Sequence, residues 1–321
     1  MRLHQLRLHQ TCKSTYMKKA FEAPYLGPPL GGVSWQRVFG IKQRRSAMQL
    51  RFDGFTLNKH LHRYGHHTTG LCPLCPQHPG QTESLPHALG GCGHELTHNM
   101  VCCRHGQSVH LIRNAAAAVH THHLTFANAE GHPDTSCPRL PTYILPTSVP
   151  QPSKPDLLVL IPSYAPAGAG PSTVTTPAPQ HMDKASSHIH IVEWFHTSDF
   201  RVADRAAAKS EQHLALKHAL AREGWKKVTI HTVGISHSGV LHSTFRDMAT
   251  ALGISCTKAK SLATALAIHT VAANTRILRT RAQRKRQLIQ QLPPPPRAAP
   301  PPPPPGGPTT PSPSSGHGRP L

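Results

Sequence analysis

The stretch Leu71–Asn114, LCPLCPQHPGQTESLPHALGGCGHELTHNMVCCRHGQSVHLIRN, carries four soft or borderline metal ligands within 21 residues. Cys72 and Cys75 form a C-x2-C pair, His87 follows after eleven residues, and Cys92 after four more. Two cysteines at that spacing point inward from one tight turn, and a histidine and a third cysteine then complete a tetrahedron around Zn²⁺. The residues between them are rich in Pro, Gly and Gln. They hold too little apolar mass to fold such a knuckle without a metal. The quartet predicted is Cys72, Cys75, His87 and Cys92. His78, His94, His98, Cys102 and Cys103 stand close enough in sequence to substitute for one of them, and the plain alternative is a set of reduced surface thiols in a histidine-rich chain.

The surrounding composition favours a polyanion partner. Thirty-five Lys and Arg face 14 Asp and Glu over 321 residues, a formal net charge of +21. That balance suits nucleic acid first and an anionic membrane second. No apolar run approaches the roughly 18 residues of a membrane span, so no membrane association is expected. Apolar content of 37% and aromatic content of 5% imply that part of the chain lies outside any packed core. Eight cysteines, three of them in the knuckle, do not read as a secreted disulfide framework. The first 20 residues are basic and acid-free, as in an organelle transit peptide, but an internal segment of a longer protein is the preferred reading. The 27 histidines are spread through every segment and read mainly as compositional bias.

Along the chain, residues 1–65 read as short helices and loops, broken by Pro24, Pro28, Pro29, Gly31 and Gly32. Residues 66–125 hold the knuckle and a following helix over Arg104–His123, with Val109, Ile112, Ala116 and Val119 on one face. Residues 127–153 read as a Pro-rich linker. Lys154-Pro155-Asp156 leads into the strand LLVLI, and His188–Phe195, HIHIVEWF, is a second strand. The low-complexity segment 163–187 lies between them as a loop. A helix over Arg201–Arg222, stopped by Gly224, precedes a third strand at Val228–Ile235 and a short helix at Thr244–Leu252. Residues 257–292 read as one long helix, strongly basic at Arg276, Arg279, Arg281, Arg284, Lys285 and Arg286. The Pro-rich tail 293–321 is expected to be disordered or extended.

Three side chains in this second half point to chemistry. Strand alternation puts Ile189, Ile191, Glu193 and Phe195 on one face, so Glu193 is an acid in an apolar row. Helical spacing aligns Val202, Ala206, Lys209, His213, Leu216 and Leu220 on the stripe that packs against the sheet. An antiparallel hairpin of the first two strands brings Asp156 opposite Glu193. Two carboxylates there suit Mg²⁺, which polarises a phosphate and activates water. Lys209 beside them would orient that water or neutralise developing charge. The bland alternative is a structural Glu193–Lys209 ion pair with Asp156 as a turn residue.

These residues, in this order, resemble the C-terminal end of the reverse transcriptases of non-LTR retrotransposons that carry a restriction-like endonuclease. In that family a CxxC…HxxxxC knuckle precedes an R-H-N/D motif and a (K/R)PD…(D/E)…K nuclease core. Here the matching positions are Arg104-His105, Lys154-Pro155-Asp156, Glu193 and Lys209. Arg205–Val233 is similar to the family's post-catalytic helix and strand, and Leu50–His66 resembles its thumb-to-knuckle linker. The resemblance spans roughly residues 45–290. It implies an α+β fold class, a CCHC zinc knuckle followed by a small PD-(D/E)xK-like α/β nuclease core at residues 150–256. It also implies structural Zn²⁺, catalytic Mg²⁺ at Asp156 and Glu193, DNA and RNA as partners, and a nuclear location. Arg104, His105, Lys154 and the basic helix 257–292 would bind nucleic acid. The reaction implied is nicking of target DNA to prime reverse transcription. The alternative is a decayed, non-enzymatic zinc-knuckle binding protein. The departures are Gly106 in place of Asn or Asp, the long gap between Asp156 and Glu193, Phe195 where a simple ExK has lysine, and the lack of a Tyr-x-Asp-Asp polymerase motif. The chain therefore reads as a fragment whose polymerase portion is a further expected partner.

Overall fold

The apolar run LLVLI at Leu157–Ile161 becomes one of the two inner strands of a four-stranded sheet. In a computed structural model, residues 40–51, 54–67, 69–75, 80–119, 123–127, 140–163, 182–198 and 201–291 are described. The expectations for residues 1–39, the middle of the low-complexity loop, His78 and the tail 293–321 lie outside those residues. The strands are β1 (Leu124–Ala127), β2 (Leu157–Ile161), β3 (His188–Thr197) and β4 (Lys227–Ser236), in that spatial order. β2 pairs antiparallel with β1 and β3, in the register Leu157↔Val192 to Ile161↔His188, and β3 pairs parallel with β4. A parallel pair needs a crossover. It is supplied by α4 (Val202–Gln212) and α5 (Leu214–Arg222).

Alternation along the strands builds two cores. On one face Leu157, Val159, Val192, Trp194, Val233 and Ile235 pack with α3 (Glu95–Ala117), α6 (Thr244–Ala251) and the first half of α7 (Cys256–Gln291). On the other, Leu158, Leu160, Ile189 and Ile191 pack with Leu216 and Leu220 of α5 and with Trp225. β2 is buried on both faces, which is why it reads as unbroken apolar residues rather than an alternating pattern. Each such side chain taken fully out of water contributes about 1.5–3 kcal/mol. A third cluster joins α1 (Ile41–Arg51), Leu57 at the start of α2 (Asn58–Arg63), Leu85, Ala88 and Leu89 to Ala267, Val271, Ile277 and Leu278 of α7. The last helix thus runs along the sheet core with its first half and along the knuckle region with its second.

Several expectations change. The helix foreseen over Arg201–Arg222 is two helices, parted at His213, whose side chain bonds the Glu193 carboxylate. The helix foreseen from Arg104 begins nine residues earlier, at Glu95, and ends at Ala117. The remaining residues leave room for β1, a strand too short to show a periodicity. Within the segment read as linker, Leu140, Ile144 and Leu145 are buried in the second core, and Trp225 Nε1 donates to the Ile144 carbonyl (2.9 Å). The ends of the low-complexity loop are tied together. Ser163 N donates to Ser187 Oγ (2.8 Å) and Asp183 N to the Ser163 carbonyl (2.9 Å), so the hairpin closes beneath it. Two glycines are required by position. Gly224 ends α5 at φ +94°, and a Cβ on Gly234 of β4 would lie 2.7 Å from the Phe195 ring and 2.8 Å from Val202. The chain is thus mixed α/β with a four-stranded sheet and a separate Cys/His cluster. Among the described residues, no helix is long and apolar enough to cross a membrane.

Candidate functional site

The knuckle is built by a turn and a helical bend. Cys72 N donates to the Gln81 carbonyl (2.8 Å), and Leu71 bridges Thr82, which closes the loop carrying Cys72 and Cys75. Leu85, Ala88 and Leu89 are buried in the third core. They hold the five-residue π-helical turn His87–Gly91, which delivers His87 at its start and Cys92 just after its end. The sulfurs of Cys72, Cys75 and Cys92 and a ring nitrogen of His87 all lie within 4.8 Å of one another, and all four residues are buried. Cys75 Sγ is 3.2 Å from Cys92 Sγ and 3.4 Å from His87 Nε2. The first distance is far beyond the ~2.05 Å of a disulfide. A tetrahedral Zn²⁺ with bonds of ~2.3 Å to sulfur implies sulfur–sulfur edges of roughly 3.8 Å, which lies between the 3.2 Å Cys75–Cys92 separation and the 4.8 Å within which all four ligand atoms fall. The donor set and its geometry therefore fit a metal such as zinc. Among the described residues it is the only group of three or more His, Cys, Asp or Glu side chains gathered this closely. Cys102 stands instead with His98, 3.5 Å away, on an exposed face of α3, and Cys103 is exposed.

The three sulfurs are driven apart in acidity. A hydrogen bond from Cys72 outweighs burial and holds the Cys92 thiol down at about 2. Cys72 is pushed up by that same bond and by burial, and Cys75 by burial and then Cys92. Above them sits Arg281 of α7, 3% exposed. Its Nη1 donates to Cys92 Sγ (2.8 Å) and Thr97 Oγ1 (2.9 Å), and its Nη2 to Cys72 Sγ (3.2 Å) and Glu83 Oε1 (3.2 Å). Burial would lower this guanidinium, but the bonds to Cys92 and Cys72 raise it above its ordinary value. Glu83, fully buried, also accepts from Lys285 Nζ (2.6 Å) and Asn58 N (2.8 Å) at Oε2.

The carboxylates belong to the sheet, where β2 begins and β3 ends. Extending the β2–β3 register one step past Leu157↔Val192 places Asp156 opposite Glu193. Asp156 Oδ2 accepts the Trp194 N–H (2.8 Å), and its Oδ1 accepts from His105 Nε2 of α3 (3.0 Å). Glu193 is 3% exposed. Its Oε1 accepts from Lys209 Nζ (2.5 Å) and its Oε2 from His213 Nε2 (2.8 Å). The other ring nitrogen of His213 faces the Ser153 hydroxyl at 2.9 Å. Burial would raise the Glu193 carboxyl, but the bonds from His213 and Lys209 win and hold it below the usual carboxylate range. Burial would likewise lower His105, but Asp156, through its hydrogen bond and its charge, raises it. The two carboxylates are thus held from opposite layers, Asp156 by α3 and Glu193 by the α4–α5 junction.

Among the cations expected to meet nucleic acid, three turn inward. Arg104 is 4% exposed. It donates to Asn274 Oδ1 and to the Leu89 carbonyl (3.1 Å), and burial pulls its guanidinium down to about 10. Arg281 is closed into the knuckle, and Lys285 is pinned to Glu83. The reason is helical spacing. Ile277, Leu278, Arg281 and Lys285 share the inner stripe of α7, whereas Arg276, Arg279 and Arg286 share the exposed one. Arg284 is half-buried and bonds Gln287, Lys154 is exposed, and His105 serves Asp156. Sequence reasoning misses Glu83 and its role. The only signal is a lone acid between the CxxC pair and His87. It also misses His213 as a direct partner of Glu193, although its place on the sheet-facing stripe announces it.

No protein-family model and no curated protein matches this chain.

Proposed function

We propose that the chain is a nucleic-acid-binding zinc knuckle joined to a restriction-like PD-(D/E)xK endonuclease, the C-terminal part of a non-LTR retrotransposon reverse transcriptase acting on nuclear DNA. The observation that carries this reading is the meeting of Glu193 with Lys209 across from Asp156 on an antiparallel pair that follows the Cys₃His cluster. Zn²⁺ at Cys72, Cys75, His87 and Cys92 is structural, because four protein ligands leave no open position for substrate. The donors at the second site suit Mg²⁺, being two carboxylates on facing register positions. A bound Mg²⁺ would supply polarisation of the scissile phosphate and activation of water. Asp156 and Glu193 would supply its oxygens. His105 and His213, bonded to those carboxylates, would orient them, and Lys209, bonded to Glu193, would offset negative charge growing on the phosphate. The exposed Arg276, Arg279, Arg286 and Lys154 supply phosphate contacts that position DNA or RNA without reading sequence.

A second reading, a decayed and purely binding module, is favoured by one observation. All four carboxylate oxygens already accept hydrogen bonds, and from opposite layers of the fold. Nicking of supercoiled plasmid separates the two. The endonuclease reading expects open circles to accumulate with Mg²⁺ and to vanish in Asp156→Asn and Glu193→Gln with DNA binding retained. Plasmid that stays supercoiled at every Mg²⁺ and Mn²⁺ concentration, while still bound, establishes the binding module instead.

A further inference from the structure

Arg281 is 189 residues from Cys92 and 209 from Cys72 in sequence, yet one guanidinium reaches both sulfurs. A fork that donates to two ligand sulfurs at once is a geometry lysine cannot copy. The charges around it form a closed set. Three thiolates, one divalent cation and a neutral imidazole leave a single negative charge at the metal centre. Glu83 adds a second negative charge, and Arg281 and Lys285 supply two positive ones. Arg281 and Glu83 are almost wholly closed to solvent, and Lys285 is mostly so.

We propose that the metal centre and the second half of α7 form one linked unit, in which Arg281 is a positioning residue for the metal thiolates and the bound ion in turn holds α7 in place. Ile277, Leu278 and the half-buried Leu288 pack on the same region, Leu288 directly against the cysteine cluster. Binding of the ion and docking of residues 277–288 therefore favour one another by the same factor. The consequence reaches the surface. Arg276, Arg279 and Arg286 ride on that helix, so the ion fixes where the exposed basic stripe is presented. This rests on the metal reading of the knuckle and is independent of the nuclease.

The test uses the full chain and Zn²⁺ in competition with a chromophoric chelator. Arg281→Gln should weaken Zn²⁺ binding about 10- to 100-fold, the usual cost of losing a group that orients metal ligands. Gln283→Ala, exposed on the same helix, should leave it within about twofold. With Co²⁺ in place of Zn²⁺, Arg281→Gln should move the sulfur-to-metal charge-transfer band to longer wavelength, because hydrogen bonds that stabilise the sulfur electrons are gone. A purely structural arginine would not move that band. In the wild-type chain, hydrogen exchange should speed up across residues 277–291 when Zn²⁺ is chelated, with β4 still protected. That arm decides the matter if Arg281→Gln does not fold. Equal Zn²⁺ affinity and an unmoved band, or exchange in 277–291 indifferent to chelation, overturns the linkage. A wild-type chain that binds no Zn²⁺ overturns the metal reading itself.

Discussion

Glu83→Ala should be among the most damaging single substitutions in the chain, although Glu83 belongs neither to the ligand quartet nor to the Asp156 and Glu193 pair of facing positions. Its carboxylate is fully buried and accepts from Arg281 Nη2 (3.2 Å), Lys285 Nζ (2.6 Å) and Asn58 N (2.8 Å). Removing it orphans a buried backbone N–H and takes the counter-charge from two cations. Breaking a buried ion pair by deleting one partner costs about 3–5 kcal/mol. Lys285 keeps some solvent, 17% exposed, and Asn58 Oδ1 still accepts from it at 3.0 Å, so its share is discounted. Arg281 keeps Thr97 and the two sulfurs. The low end, about 3 kcal/mol, is therefore the expectation. At roughly 2–4 °C per kcal/mol for a fold of this size, the midpoint should fall by about 6–12 °C. The assay is urea and thermal unfolding by far-UV circular dichroism in excess Zn²⁺, with Glu211→Ala on an exposed face of α4 as reference. Surface substitutions of that kind stay within about 0.5 kcal/mol. A Glu83→Ala chain as stable as the Glu211→Ala chain refutes the charge set.

Three other outcomes follow from the same geometry. Gly234→Ala should cost about 1–3 kcal/mol in urea midpoint, because the new Cβ meets Phe195 and Val202 at 2.7 and 2.8 Å and neither can leave the core. Glu193 has a depressed carboxyl, so its stabilisation is present above the unfolded value and is lost as pH falls through the lower folded one. Wild type should therefore weaken more steeply than Glu193→Gln between about pH 5 and pH 3, and parallel curves from urea titrations would show that the pair contributes nothing. Replacing Arg276, Arg279 and Arg286 together by Ala should flatten the salt dependence of DNA binding by up to about three units of slope, one per lost phosphate contact. An unchanged slope places the nucleic-acid face elsewhere.

What the sequence reveals depends on how local the determinant is. The Cys72, Cys75, His87 and Cys92 spacing is legible because all four ligands sit on one short turn-and-bend, and the structure gathers them within 4.8 Å. The approach of Lys209 to Glu193 is legible because period two on the strand and period 3.6 on the helix each point a polar side chain at the same layer. Glu83 and Arg281, 198 residues apart, give no such sign. A basic run on a helix reads as a solvated face until the helix partners fix which stripe is buried. That is why Arg281 and Lys285 look like phosphate contacts in sequence and are knuckle contacts in space. β1 and the packing of Leu140, Ile144 and Leu145 escape for a related reason. Four residues of strand and a Pro-rich turn carry no periodicity, and only pairing along the edge of β2 and the Trp225 side chain give them a place.

The most direct measurement on the knuckle is Zn²⁺ stoichiometry by native mass spectrometry on the full chain and two double variants. One Zn²⁺ per chain is predicted for wild type and for Cys102→Ser with Cys103→Ser, and none for Cys72→Ser with Cys92→Ser. Full Zn²⁺ retention in the Cys72/Cys92 variant, or its loss in the Cys102/Cys103 variant, contradicts the assignment of the metal centre.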